Sequence, residues 1–357
     1  MGCCGTINTG SYVIDPTNDT NNDKNSSTSN IEDEKYIYIS KAGKGYSGKS
    51  IKVISDKTNI YYIIKIIEEK KKFKNAILEA QLLEICKHPN IVNIKQIYKE
   101  RDDDNISVNI VTEYANDGDL FKKLEENKCI DEETLLFWLM QICFGLSYLH
   151  KKKILHRDIK PQNIFLNKNG LIKIGDLGFS KLIMNENEWK KKQTFLGTEK
   201  YMSPEMKNKR EYNSKTDIYS LGKTFQDFMK DETKYSDNFK NLIKSLVEKN
   251  PSKRPSADEI LNKPLIKDKM ERFLEVHNFK NSLAYKIFEK IKDKKLEDED
   301  SFFKLVKDER KKFIKEENED KESEIENEKK IEKDLDILMC YIKKRLYNES
   351  QSVSIII

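Results

Sequence analysis

No run in this 357-residue chain reaches the roughly 18 consecutive apolar residues that a membrane-spanning helix needs. The N-terminus, MGCCGTINTG, has no apolar stretch of the secretory kind. These two absences predict a chain that is made in the cytosol and stays facing it. Cysteine is scarce. Cys3 and Cys4 are terminal, while Cys86, Cys129, Cys143 and Cys340 are scattered with no C-x-x-C. That spacing argues against a disulfide framework or a zinc site. Excess charge of one sign is lacking too. Charged residues make up 36% of the chain, yet the net charge is only +5 and the signs alternate. No basic stripe points to nucleic acid as a partner.

What is present is enough apolar material, 37%, for one large domain or two medium ones. Residues 7–34 are rich in Asn, Thr, Ser and Asp. They have too little apolar surface to offset ordering entropy, so residues 1–34 read as a disordered tail. From Tyr36 the pattern changes. YIYIS (36–40), SIKVIS (50–55) and NIYYIIKII (59–67) are β-branched and aromatic runs that read as three strands. KKFKNAILEAQLLEI (71–85) places Phe73, Ile77, Leu82 and Ile85 near helical spacing. IVNIKQIY and ISVNIVTEY read as two more strands. From Leu120 the chain turns mostly helical, with LLFWLMQICFGLSYL (135–149) dense enough in apolar residues for a buried helix. Strands first and helices after predict an α+β fold with a small sheet-rich lobe and a larger helical one. The domain is expected over 35–266. Residues 267–357 read as a charged helical extension with three apolar stripes, at 282–291, 301–314 and 334–346. The stripes do not sustain heptads, so no coiled coil is expected.

Several short motifs carry chemistry. GKGYSG (43–48) is a G-x-G-x-x-G with Gly43, Gly45 and Gly48. It lies between two strands, not between a strand and a helix, which disfavours dinucleotide binding. A glycine hairpin of this kind can lay backbone N–H groups over a triphosphate. Lys65, in YIIK, follows Gly48 by seventeen residues and is a candidate phosphate ligand. Its expected partner is a carboxylate on the next helix. Glu79 fits, nine residues before His88, and Glu84 competes. The densest block is HRDIKPQNIF (156–165). Asp158 can accept a hydroxyl proton, Lys160 can neutralise a phosphate, and Asn163 can hold a metal. Asp176, eighteen residues after Asp158 in GDLG (175–178), can ligate Mg²⁺. Phosphoryl transfer needs positioning and charge neutralisation more than covalent help, and this set supplies both.

Residues 36 to about 265 resemble a eukaryotic protein kinase domain. The resemblance rests on GKGYSG, YIIK, HPNIV, EYANDGDL, HRDIKPQN, DLG, GTEKYMSPE, DIYSLG and RPS. HRDIKPQN with DLG and YMSPE is most similar to the NIMA-related branch. Lys160 and Thr198 resemble Ser/Thr rather than Tyr kinases. The resemblance implies ATP and Mg²⁺ as cofactors, protein Ser/Thr hydroxyls as substrates and a bilobal fold. It implies that Lys65 holds the α- and β-phosphates and pairs with Glu79. It makes Thr112 the gatekeeper, Glu113 to Ala115 the hinge to adenine, Asp119 a ribose neighbour and Phe165 the adenine floor. It implies that Leu83, Ile94, His156 and Leu177 stack as a regulatory spine, that Glu205 pairs with Arg254 and that Asp217 braces the catalytic loop. Three features depart from the pattern. Ser50 and Ile63 alter the adenine ceiling. The interval from Asp217 to Arg254, only 37 residues, predicts a missing helix and loop. These departures suit an alternative, a membrane-anchored pseudokinase scaffold.

Two further expectations concern control. Thr194, three residues before Gly197, could carry a phosphate that pairs with Arg157. MGCCGT matches M-G-x-x-x-[ST], so Gly2 is a candidate for myristoylation. One myristoyl chain binds membranes only marginally. The first 40 residues carry two lysines against six acidic residues, the wrong sign for an anionic leaflet. Palmitate on Cys3, Cys4 or both would then supply the second anchor, and place the protein on the cytoplasmic face of a membrane.

Overall fold

The computed structural model describes residues 6–7, 35–44, 48–102, 105–126, 129–168, 170–183 and 197–266. The β-branched and aromatic runs form strands as their composition requires. Strands β1 (Thr6–Ile7), β2 (Tyr36–Lys44), β3 (Lys49–Ser55), β4 (Tyr61–Ile67), β5 (Ile94–Asp102) and β6 (Asn105–Glu113) make one antiparallel sheet. Its order is β1-β2-β3-β4-β6-β5. One side of the sheet closes on Tyr36, Val53, Tyr62, Ile64, Tyr98 and Val111, all buried. Two residues of the tail expected to be disordered join this sheet: Thr6 and Ile7 pair with Ile37 and Tyr36. β2 offers them the open hydrogen-bonding edge. The rest of residues 1–34, with Gly2, Cys3 and Cys4, lies outside the described residues, as does 267–357.

The glycine motif sits where a hairpin was expected, since Gly43 pairs with Ser50 across β2 and β3. Gly45 lies outside the described residues. A Cβ on Gly48 would overlap the Ile66 carbonyl oxygen, so the close approach of β3 to β4 demands glycine there. β4 starts two residues later than the apolar run because Asn59 has φ 54°, a left-handed turn conformation.

Helix α1 (Phe73–Ile85) follows, but its buried face is not the stripe expected from the large apolar residues. Ala76, Glu79, Ala80, Leu82 and Leu83 are buried, and Ile85 is 49% exposed. Small alanines let the helix approach its neighbours closely, and Glu79 is drawn inward by a cation. Helices α2 (Leu120–Glu125) and α3 (Glu132–Lys151) come next. Leu135, Leu136, Leu139, Met140, Ile142, Cys143, Leu146 and Leu149 on α3 are all buried, as an apolar surface on nearly every side requires. The short strands β7 (Ile154–Leu155), β8 (Ile164–Leu166), β9 (Ile172–Ile174) and β10 (Lys181–Leu182) pair as β7–β10 and β8–β9. Helices α4 (Pro204–Lys207), α5 (Lys215–Phe228), α6 (Asp237–Leu246) and α7 (Ala257–Leu261) complete the described chain. Only a single 3₁₀ turn, Glu232–Lys234, stands between α5 and α6. The short Asp217–Arg254 interval thus holds no further helix between α5 and α6, as expected. No helix among the described residues is long and apolar enough to cross a membrane.

The described residues fall into two compact units. One takes in everything up to Cys129, then Gly145–Glu232 and Asn241–Ser256. The other takes in Ile130–Phe144, Thr233–Lys240 and, among the described residues, 257–266. Within the second, the Ser236 amide and hydroxyl donate to the Glu132 carboxylate, and the Tyr235 hydroxyl donates to the Ile130 carbonyl. All the site residues discussed below belong to the first unit.

Candidate active site

β4 presents Lys65 at its centre, and α1 brings Glu79 to it. Lys65 Nζ lies 2.9 and 2.8 Å from the two Glu79 carboxylate oxygens and 2.8 Å from Asp176 Oδ1. Glu84, the competing carboxylate, is exposed and, among the described residues, pairs with Lys87 at 3.4 Å. Burial would lower the Lys65 ammonium, but the two carboxylates outweigh it, and its pKa is raised. Glu79 is pushed up to about 7, chiefly by burial. Burial opposes ionisation of Asp176 as well, yet Lys65 overcomes it and holds that carboxyl below its ordinary range. Asp176 is thus the carboxylate of the trio whose charged form Lys65 favours over burial. It stands at φ 56°, ψ 69°, a conformation that Asp tolerates and that begins the turn Leu177–Phe179.

The second constellation sits on the loop after β7. Asp158 is 3% exposed. Its Oδ1 accepts from the Thr198 amide at 2.9 Å and the Thr198 hydroxyl at 3.0 Å. Its Oδ2 accepts from Asn163 Nδ2 at 2.9 Å and lies 2.7 Å from Lys160 Nζ. Lys160 also donates to the Thr198 hydroxyl, at 2.8 Å. Asn163 Nδ2 donates to the Asp158 carbonyl too, which leaves its Oδ1 to face a cation. Thr198 was singled out in the sequence only as part of a GT pair, and its direct hold on Asp158 was not foreseen. Gly197 makes it possible: φ is 117°, and a Cβ there would come 2.6 Å from the Arg157 carbonyl oxygen.

Asp217, fully buried on α5, braces this loop. It accepts from the amides of His156 at 3.0 Å and Arg157 at 2.8 Å, and meets His150 Nε2 at 2.8 Å. His150 was not anticipated. Burial would raise the Asp217 carboxyl, but the hydrogen bond and charge of His150 lead the interactions that hold it below its ordinary value of 3.8. A carboxylate depressed on folding stabilises the fold above that value, and the benefit is lost as pH falls through the folded value. Asp217→Asn should therefore cost about 3 kcal/mol at pH 7, since it turns charged hydrogen bonds into a clash of donors. The gap to the parent should narrow below about pH 4. Thermal melts across pH check both.

Other expected residues are found as follows. Thr112 lies on β6 opposite Ile63. Glu113 ends β6, and Ala115 follows it. Phe165 lies on β8, against Gly175. Asp119 spends one carboxylate oxygen capping α2 through the Lys122 amide at 2.8 Å. Leu83, Ile94, His156 and Leu177 are all buried. Glu205 and Arg254 pair through both carboxylate oxygens, at 2.5 and 2.8 Å. Arg157 donates to the Phe179 carbonyl, the Ser180 carbonyl and the Tyr212 hydroxyl. Thr194 lies outside the described residues.

Residues 36–236 match the protein kinase domain. The chain belongs to the protein kinase family. The kinase is 35% identical over 271 residues to serine/threonine-protein kinase Nek1 of Mus musculus, covering 68% of this chain and 22% of that protein. It is 34% identical over 277 residues to mouse Nek4, covering 69% and 34%. It is 33% identical over 275 residues to Nek5 of Homo sapiens, covering 68% and 38%. The chain thus spans well under half the length of these relatives. They place it in the NIMA-related branch, and its catalytic unit is a serine/threonine protein kinase domain.

Proposed function

We propose that this kinase is catalytically active and transfers the γ-phosphate of ATP to protein Ser and Thr hydroxyls. The observation that carries the reading is the double convergence: Lys65 with Glu79 and Asp176, and Asp158 with Lys160, Asn163 and Thr198. A pseudokinase scaffold would have no need to keep both sets in hydrogen-bonding contact. Asp158 is placed to take the proton of the incoming hydroxyl as its oxygen bonds to the γ-phosphorus and the bond to ADP breaks. Lys65 and Lys160 offset the charge carried by the phosphates. The donor set fits Mg²⁺, which takes one or two protein oxygens and fills its shell with phosphate and water. Asp176 and Asn163 would be the protein oxygens that hold it, Asn163 through the Oδ1 that its two donated hydrogen bonds leave over. Bound Mg²⁺ would supply charge neutralisation at the phosphate oxygens. The decisive test is transfer of phosphate from ATP to a generic protein acceptor by the purified chain. Mg²⁺-dependent transfer is the expected result, and its absence would favour the scaffold.

The same proposal includes location and control. Gly2, with Cys3 and Cys4, would hold the kinase on the cytoplasmic face of a membrane through myristate and palmitate. Fractionation of cells should find the parent with membranes, Gly2→Ala in the soluble fraction, and the Cys3→Ser, Cys4→Ser double variant only weakly bound. A wholly soluble parent ends the tether. A phosphate on Thr194 would meet Arg157, which is buried and bonded only to neutral oxygens among the described residues.

A further inference from the structure

Lys173 sits at the centre of β9, between Ile172 and Ile174, and like them it is buried. A cation in such a strand needs a partner. It has one in Glu113: Lys173 Nζ lies 2.8 Å from Glu113 Oε1. The lysine side chain is 8% exposed and the glutamate 30%. The same Oε1 accepts from the Asn93 amide at 2.8 Å, and the Glu113 amide donates to the Asn93 carbonyl at 3.0 Å. Residues 90–93 are in turn sewn to β9. The Val92 amide donates to the Ile174 carbonyl, the Ile174 amide to the Asn90 carbonyl, and Asn90 Nδ2 to the Ile172 carbonyl. The nearby His88 adds no charge at neutral pH, because burial and Lys173 push it down to about 3.

The ion pair thus ties two segments with different tasks. Glu113 opens the hinge that faces adenine. β9 runs through Gly175 directly into Asp176. We propose that Lys173 is a positioning residue. Its pair with Glu113 locks the adenine hinge and the strand carrying the metal ligand into one register, so that base and metal are presented together. The inference rests on reading Glu113–Ala115 as the hinge and Asp176 as a metal ligand. A buried pair gains little net stability over an apolar pair, so its directional bonds are better explained by register than by strength.

The test uses the full chain and four variants: Lys173→Met, Lys173→Arg, Glu113→Gln and the Lys173→Met, Glu113→Gln double. Two readouts address the two ends. Adenosine, which has no phosphate, reports on the hinge through its Kd. The Mg²⁺ concentration for half-maximal rate reports on the metal end. Lys173→Met and Glu113→Gln should each raise both by about tenfold, with KM for ATP following and kcat changing by less than about threefold. The double variant should be no worse than either single. Lys173→Arg should restore both readouts. If the variants lower only the melting temperature, the pair is structural and the inference is overturned. It is overturned equally if adenosine weakens while the Mg²⁺ requirement stays fixed. Should Lys173→Met not fold, Glu113→Gln decides, since it keeps its volume and an oxygen for the Asn93 amide. Asp176→Ala serves as the control: it should lose Mg²⁺-dependent turnover and keep adenosine binding. Retained turnover there would remove the metal-ligand reading itself, and the inference with it, whatever the other variants do.

Discussion

Asp158→Asn lowers kcat about a thousandfold and leaves the fold in place. On the proposed reading, this carboxylate takes the proton from the incoming hydroxyl. Its two oxygens already accept from Thr198, Asn163 and Lys160. Asparagine keeps the size and one oxygen, so the loop can stay in position, but it is no base. It also turns an amide NH₂ toward Thr198 or Lys160, both donors. KM for ATP should change little, because Asp158 acts on the acceptor rather than on the nucleotide. Lys65→Met and Asp176→Ala should also lose transfer, for a different reason. Each removes a charge that holds or neutralises phosphate, and with it the order of the trio, where Lys65 reaches Glu79 and Asp176 at 2.8 Å. Near-full activity in Asp176→Ala would sink the metal assignment. Steady-state rates against circular dichroism of each variant separate lost chemistry from lost fold.

The parts of this site that could be read in the sequence are those carried by short, contiguous motifs. HRDIKPQN brings Asp158, Lys160 and Asn163 together within one loop, so contiguity alone places them near each other. The strands were legible because period and composition agree over five or more residues. The buried face of α1 was not. Its contact side is made of Ala76, Ala80 and the acidic Glu79, which no hydrophobic count would choose over Ile85. The side was set by how closely the helix could approach, and by a cation on another strand. Partners distant in sequence were legible only through family resemblance, as with Asp217 and the catalytic loop. Where that resemblance offered nothing, they were missed. His150 lies one residue beyond the apolar run 135–149, with no motif to mark it. Lys173 carried one faint signal, a lone charge between two isoleucines in a run too apolar to leave it unpaired. The start of β4 was misjudged because Asn59, a turn-forming residue with a left-handed backbone, was counted into the apolar run that follows it.

Glu205→Ala costs about 3–5 kcal/mol. Arg254 is 1% exposed. It meets both oxygens of Glu205, donates to the carbonyls of Lys215, Glu248 and Lys249, and stacks 4.9 Å from the Tyr219 ring. The three carbonyls satisfy hydrogens but cannot neutralise the charge. Removing Glu205 leaves a buried guanidinium without its counter-ion, and that group cannot escape by losing its proton. The loss is a large share of the 5–15 kcal/mol that holds an ordinary domain together. Arg254→Met should cost a similar amount, because it strands the Glu205 carboxylate and the carbonyls at once. Glu205→Leu combined with Arg254→Met removes both charges and should recover part of the loss. It cannot recover all of it, since the carbonyls of residues 215, 248 and 249 still want donors. Urea unfolding of the two singles and the double measures this coupling directly. If Glu205→Ala lies within about 1 kcal/mol of the parent, the pair is not an anchor. The helical side of the kinase would then have to be held by apolar packing such as Leu155, Ile183, Met202, Met206 and Tyr212.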